Sequence, residues 1–360
     1  MMADTVETFR RPRCRVLVDG SVVDGCHSIE LSTSNFGQAG SFFIRLASHT
    51  GQVNPTTSWF NDDTIDVSIQ LGFLPVGMPE GSLSWQEMMS GRVDRIRLDP
   101  IGGTMTLEGR DYAARLLDLP VTESFLNCTS SEVARRLAGR CGLSVSGDQT
   151  ASIIGQYYQI EHARLALSRF SNFGTAWDLL STLAQFEGFD LWVQGSILYF
   201  QSAAVKEGNV RHIDFRPADQ DNASPSLNIS GLSLERSLAL SGGLPVSVSS
   251  WNSRQRKRVS ARSGSASASS TAASLNIVRP NLLPDTAKML ADGIFSQTSG
   301  HERTLTATMP GDLVLSPRDR LRLTGIGTSW DGNYRVDSVD REMTLSSGFV
   351  QRFTAKTIPA

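Results

Sequence analysis

Ile65, Val67, Ile69 and Leu71 alternate with polar residues through Asp63–Leu71. A two-residue period predicts a strand with one face on a core and the other on water or a partner. Phe42, Ile44 and Leu46 repeat it, as do Leu305, Ala307 and Met309 near the other end of the chain. Leu232, Leu234, Leu238 and Leu240 follow it too, with Arg236 as the one break. Further strands are expected at Cys14–Val18, Val22–Val23, Gly91–Leu98 and Thr104–Glu108, with turns at Asp19-Gly20 and Asp24-Gly25. Short strands at this spacing predict a barrel or sandwich. Pro75–Trp85 is a Gly- and Pro-rich loop carrying Met78 and Trp85.

After Gly109-Arg110-Asp111 the period lengthens. Tyr112, Leu116 and Leu117 fall at helical spacing, with Asp111 as a candidate N-cap. Thr129-Ser130-Ser131-Glu132 has the form of a capping box ahead of Val133, Leu137 and Cys141, and Gly142 ends that helix. A third helix is expected from Thr175 to a stop at Gly188, followed by a hairpin around Gln194-Gly195. A second strand-rich block starts near Leu227 and includes Val246–Trp251. Next come the basic run Arg254-Gln255-Arg256-Lys257-Arg258 and a Ser/Ala-rich stretch at 263–274, expected to be a flexible loop because it can bury little apolar area. A short helix around Asp285–Phe295 precedes strands at Thr304–Met309, Arg320–Thr324, Tyr334–Val339 and Phe349–Ala355. Trp330-Asp331-Gly332-Asn333 reads as a hairpin turn, since Gly332 and Asn333 both tolerate positive φ.

At 360 residues the chain can bury about two cores. A formal net charge of −2 gives no general attraction to nucleic acid or acidic membranes. No apolar run of about 18 residues is present, so no membrane insertion is expected. The N-terminus lacks the apolar stretch of a signal peptide, and synthesis in a cytoplasm is expected. Cys14, Cys26, Cys128 and Cys141 have neither disulfide-framework nor zinc spacing and read as buried thiols.

Leu107-Glu108-Gly109-Arg110-Asp111-Tyr112 with Leu116-Leu117-Asp118 resembles the junction between the first barrel and the helical insert of phage baseplate hub proteins. These are the late-control D proteins and the Mu-like hub, with the base of type VI secretion spikes as distant relatives. Ser130–Leu143 resembles the Ser-x-Glu-Val-Ala-x-x-Leu-Ala…Cys-Gly-Leu element of that family, and Thr175–Phe200 its helix and hairpin. Val18-Asp19-Gly20 at the start, then Pro310-Gly311-Asp312, Gly325-Ile326-Gly327, Asp331–Val336 and Ser347-Gly348-Phe349, resemble its opening and closing strands. The resemblance covers most of residues 14–356, and the order of these motifs carries it. The stretch at 263–274 and the adjacent basic run match no fixed element of the family's pattern. No lysozyme, peptidase or spike domain is fused, so any such activity is expected on a separate chain.

The resemblance implies an α+β, mostly β fold: two tail-tube-like β-barrel domains at 1–110 and 205–360, with a mixed α/β insert at 111–204. It implies a non-enzymatic hub, a homotrimer that joins a six-fold tail tube to a trimeric spike and lines the central channel. Expected partners are a second and third copy, the tail spike protein, and the tail tube or adjoining baseplate proteins, with DNA only as passing cargo. The expected location is the tail baseplate of a virion. Alternatives are a tail-associated cell-wall hydrolase, a receptor-binding tail protein, or a tail-tube or distal-tail ring protein.

Candidate chemistry is sparse. His27, His49, His162, His212 and His301 form no paired metal-binding motif, and neither a Gly-x-Ser-x-Gly elbow nor a phosphate-binding loop occurs. Gly325-Ile326-Gly327 reads as a turn, and Asp62-Asp63 as solvated carboxylates. No catalytic, metal or cofactor residue is assigned. Candidate partner contacts are Trp85 and Trp330, which lie at loops or turns, and Arg254, Arg256, Lys257 and Arg258. The basic run could meet DNA phosphates, water, or an acidic neighbour. Trp251 is the one aromatic residue near it.

Overall fold

The computed structural model describes residues 10–35, 37–48, 58–75, 77–123, 125, 127–151, 153–154, 174–202, 210–218, 226–240, 244–252, 256–264, 274–279, 282, 284–327 and 329–358. Strands predominate. The first block holds β1 (Arg10–Val18), β2 (Ser21–Val23), β3 (Cys26–Ser34), β4 (Ser41–Ala47), β5 (Asp66–Pro75), β6 (Gln86–Asp99) and β7 (Thr104–Asp111). They hydrogen-bond in the order β2-β1-β5-β6-β7-β4-β3, each pair antiparallel. The alternating residues that define the strands, Val16, Ile29, Phe42, Ile44, Ile69, Met105 and Leu107 among them, all point into one core. Among the described residues no ladder joins β1 to β3, so the sheet stays open there.

Gly109 marks a close crossing of β7 and β6. A Cβ there would lie 2.2 Å from the Arg92 carbonyl oxygen and 2.4 Å from the Phe42 ring. The two residues after it direct the chain out of the sheet. Arg110 holds Asp94 with two bonds, at 2.7 and 2.9 Å, and reaches Asp118 at 3.2 Å. Asp111 accepts the backbone N–H of Gly40 at 2.8 Å and of Ala113 at 2.9 Å, which turns the chain into α1 (Ala113–Leu117).

The insert continues through β8 (Cys128–Thr129), α2 (Ser130–Arg140), β9 (Ser144–Gly147), β10 (Ile153–Ile154), α3 (Ala176–Glu187), β11 (Phe189–Gln194) and β12 (Ile197–Ser202). The expected capping box is present: the Thr129 hydroxyl accepts from Glu132 N, and the Glu132 carboxylate accepts from Thr129 N. Thr175 caps α3, and Gly188 closes it in the left-handed conformation at φ 70°. Both helices and the β9-β12-β11 sheet surround a core of Leu116, Phe125, Leu137, Trp177, Leu180 and Leu198. The Trp177 indole N–H donates to the Gly37 carbonyl of the first block.

The last third comprises β13 (Arg211–Arg216), β14 (Ser226–Leu227), β15 (Gly231–Arg236), β16 (Val246–Asn252), β17 (Lys257–Ser263), β18 (Leu275–Val278), α4 (Pro284–Ser299), β19 (Arg303–Pro310), β20 (Arg320–Thr324), β21 (Gly332–Thr344) and β22 (Gly348–Thr357). The hairpin β21–β22 is the junction of the molecule. Along β21, Gly332–Arg335 pair with β20, Ser338–Thr344 pair with β3, and β22 runs alongside both. The two strand-rich blocks therefore share one fourteen-stranded sheet. Tyr334, Val336, Val339, Phe353 and Ala355 belong to a second core with Leu305, Leu321 and Leu323. Further along the same hairpin, Phe349 lies in the first core, its ring 6.0 Å from that of Phe73 and packed on Gly311. Between the two cores sits a polar pair, Arg341 and Gln351, directly opposite each other and both buried.

Three expectations are revised. Gly332 and Asn333 are strand, and the positive φ angles fall at Gly325 (92°) and Gly327 (73°). Ser329 and Trp330 do stand in a turn, and the expected turn at Gly325-Ile326-Gly327 is held by the Asp331 carboxylate, which accepts their three N–H groups at 3.0–3.3 Å. The Leu232/Leu234 alternation ends at Arg236, and Leu238–Leu240 forms a single 3-10 turn. Lys257, Arg258 and Ser263 belong to β17. Residues 265–273 of the Ser/Ala-rich stretch lie outside the described residues.

Candidate partner-contact surfaces

Trp85 is half-buried just before β6, with the Arg15 guanidinium 4.7 Å from the ring centre. Arg15 also donates to Gln70 Oε1, and Gln86 donates to the Leu313 carbonyl at 3.0 Å. Trp330 is half-buried against the second core, and its carbonyl accepts the Tyr334 hydroxyl at 2.7 Å. Arg254 lies outside the described residues. Arg256 occupies the tip of the β16–β17 hairpin at φ 48°, and Lys257 and Arg258 come next, all three exposed. These residues belong to three separate surroundings: the first block, the second core, and the sheet beside α4.

That last sheet has the order β17-β16-β18, and its two faces differ sharply. Val246, Val248 and Val259 face α4, where Ala287, Leu290, Ala291 and Ile294 cover them. On the other face Trp251 stands opposite Arg258, Ser249 opposite Ser260 and Val278, and Ser247 opposite Arg262 and Asn276. Trp251 is 55% exposed and Val278 73%. Sequence reading noted Trp251 near the basic run but did not count it among the partner contacts, yet the signal was present. Val259, Ala261 and Ser263 alternate with Arg258, Ser260 and Arg262 at the strand period.

A second cluster that sequence reading missed joins the insert to the last third. Arg318, at φ 82°, lies 4.0 Å from the centre of the Trp192 ring, and Trp192 stacks on Tyr199. Beside it Arg335 pairs with Asp190. Burial pulls the Arg318 guanidinium down to about 10, while Asp190 pulls the other way, so it remains charged at neutral pH. No sequence motif links residues so far apart along the chain.

Asp111 and the Cys14–Cys26 pair are also shifted. Burial pushes the Asp111 carboxyl up to about 6 against the two backbone N–H groups that hold it. The Cys26 thiol holds that of Cys14 below its ordinary value, against burial, and Cys26 is itself pushed up, by Cys14 first and then by burial. All four cysteines are free thiols, but of the expected buried set Cys128 alone is buried, and Cys14, Cys26 and Cys141 are half-buried. Among the described residues no three His, Cys, Asp or Glu side chains converge as a metal site would require, and no helix is long and apolar enough to cross a membrane.

No protein-family profile matches the chain, and no curated protein sequence does. Solved structures do match. The tail protein from Neisseria meningitidis MC58 superposes with a TM-score of 0.69 at 15% identity, over 96% of this chain and 96% of its own. The 43 kDa tail protein of prophage MuSo2 from Shewanella oneidensis gives 0.64 at 15% identity, over 96% and 98%. The E. coli c3393 protein, a type VI secretion component described as similar to the T4 tail proteins gp27 and gp5, gives 0.53 at 9% identity, over 96% and 79%. At such identities the likeness is one of fold, shared by this chain with two tail proteins and a type VI secretion component.

Proposed function

We propose that this chain is a structural baseplate hub of a phage or phage-like tail. Three copies would join a six-fold tail tube to a trimeric spike and line the channel between them. Its partners would be its own copies, the spike, and the tail tube or adjoining baseplate proteins, with DNA only as cargo. It would carry no catalytic activity and reside in the virion. In this reading residues 1–110 and 205–360 act as two tube-like β-barrel domains and 111–204 as the insert between them.

The observation that carries the reading is the shared sheet. Two strand-rich blocks in one chain, locked together through β21 and β22, would let three chains present six similar modules. A ring so built would match six-fold symmetry on one side and three-fold symmetry on the other. Superposition of tail proteins over nearly the full length of both chains supports the same assignment.

Native mass spectrometry over a concentration series tests it. A species at three times 39.1 kDa, about 117 kDa, is expected. A hexamer would favour a tube or distal-tail ring instead. Cleavage of cell-wall polymer by the purified chain would favour the hydrolase.

A further inference from the structure

The open face of the β17-β16-β18 sheet is built like an interface with its partner removed. Trp251, near the end of the middle strand, and Val278, on the edge strand, supply its exposed apolar surface; small serines (Ser247, Ser249, Ser260) make the floor flat, and Arg258 and Arg262 stand along one side. Among the described residues the three strands place no carboxylate on this face. The opposite face packs against α4, and Asp292 on that helix is paired with Lys288 at 2.7 Å. Two arginines four residues apart on one strand lie roughly 13 Å apart and project from the same face. Trp and Arg are the residues most enriched where interfaces are tight, and an apolar centre beside a charged rim is the usual anatomy.

We propose that this face docks an acidic, apolar-containing segment of a neighbouring protein in the tail assembly. Its carboxylates would meet Arg258 and Arg262, and its apolar side chains would cover Trp251 and Val278. Guanidinium forks bind carboxylates with two parallel bonds, so the arginines would set register as well as attraction. A nucleic acid would use the arginines and could stack one base on Trp251. It would leave Val278 uncovered, and among the described residues no second aromatic side chain stands on this face to continue a stack. The source of the partner rests on the hub reading; the chemistry of the surface does not.

The test uses the full chain and a fluorescein-labelled decapeptide of alternating Glu and Leu, monitored by anisotropy. The Lys/Leu counterpart and a dT12 oligonucleotide serve as competing probes. The Glu/Leu peptide is expected to bind, with affinity falling about tenfold in Trp251→Ala and at least tenfold in R258E/R262E. R258E/R262E is expected to take up the Lys/Leu peptide instead, with far-ultraviolet circular dichroism unchanged. Absence of Glu/Leu binding would overturn the proposal, as would binding indifferent to these substitutions. Tighter binding of dT12 would overturn it in favour of a nucleic-acid surface. Native mass on the same samples reports separately on the trimer, so failure of one reading is distinguishable from failure of the other.

Discussion

The guanidinium of Arg318 lies over the ring of Trp192 at 4.0 Å and thereby ties the insert to the last third of the chain. The contact is held under strain. Arg318 sits at φ 82°, where side chains are rarely found, and its N–H donates to the Val336 carbonyl at 2.8 Å. Glycine at this position loses the cation–ring contact and the strain together, whereas alanine loses only the contact. Arg318→Ala should therefore be less stable than Arg318→Gly by about 1 kcal/mol in urea unfolding. A double-mutant cycle of Arg318→Gly with Trp192→Ala should return a coupling of about 1 kcal/mol.

Gln351 is 1% exposed, and both its amide atoms lack a hydrogen-bond partner in the protein. Facing it, Arg341 donates to the Leu315 carbonyl but leaves its Nε unpaired. A buried polar group without a partner costs about 1–3 kcal/mol. Gln351→Met, which keeps the volume, should raise the urea midpoint without changing the slope of the transition, by about 1 kcal/mol in stability. A lower midpoint would mean that ordered water satisfies the amide and that the polar layer is stabilising as it stands.

Asp111 makes stability fall as pH rises. Its carboxyl is pushed up from 3.8 to about 6 in the fold, so between those values the folded chain binds more protons than the unfolded one. The contribution is fully favourable below about pH 4 and lost above about pH 6, a swing of about 3 kcal/mol. His301 works with the opposite sign, because burial and then Lys356 lower it, against a smaller upward pull from Asp337. The difference between wild type and Asp111→Asn isolates the aspartate. Wild type should lose stability relative to the variant from pH 4 to pH 6.5, measured by urea unfolding at each pH.

Cys14 should be the fast thiol. Cys26 holds it below its ordinary value, while burial raises Cys141. Under limiting iodoacetamide at pH 7.5, peptide mass spectrometry should find Cys14 alkylated first, since the thiolate is the nucleophile. Cys26→Ala removes the lowering partner and should slow Cys14. Equal rates at Cys14 and Cys141 would contradict this account.

Much of the fold was legible because it is written locally. Alternation located β4, β5 and β19, and cap residues located α2 and α3, since both signals come from near neighbours in the chain. Misreadings arose where a distant group decided the outcome. Asp331 reaches back to three N–H groups, and so the positive φ angles fall at Gly325 and Gly327, already expected as a turn, while Gly332 and Asn333 extend as strand. Arg258 reads as one more charge in a run until β16 brings Trp251 opposite it. The Asp190–Arg335 pair and the Arg341–Gln351 layer have no local signature at all, because each joins separate strands.

The ribosome makes the first strand block long before it makes Phe349, and yet Phe349 belongs to that block's core. Strand β3 likewise waits for Ser338–Thr344 to occupy its outer edge. The early part of the chain therefore emerges with an unsealed apolar surface and an unpaired strand, and must be kept from other chains until the last hairpin arrives. A nonsense codon just before residue 332 would thus damage the beginning of the molecule as much as its end.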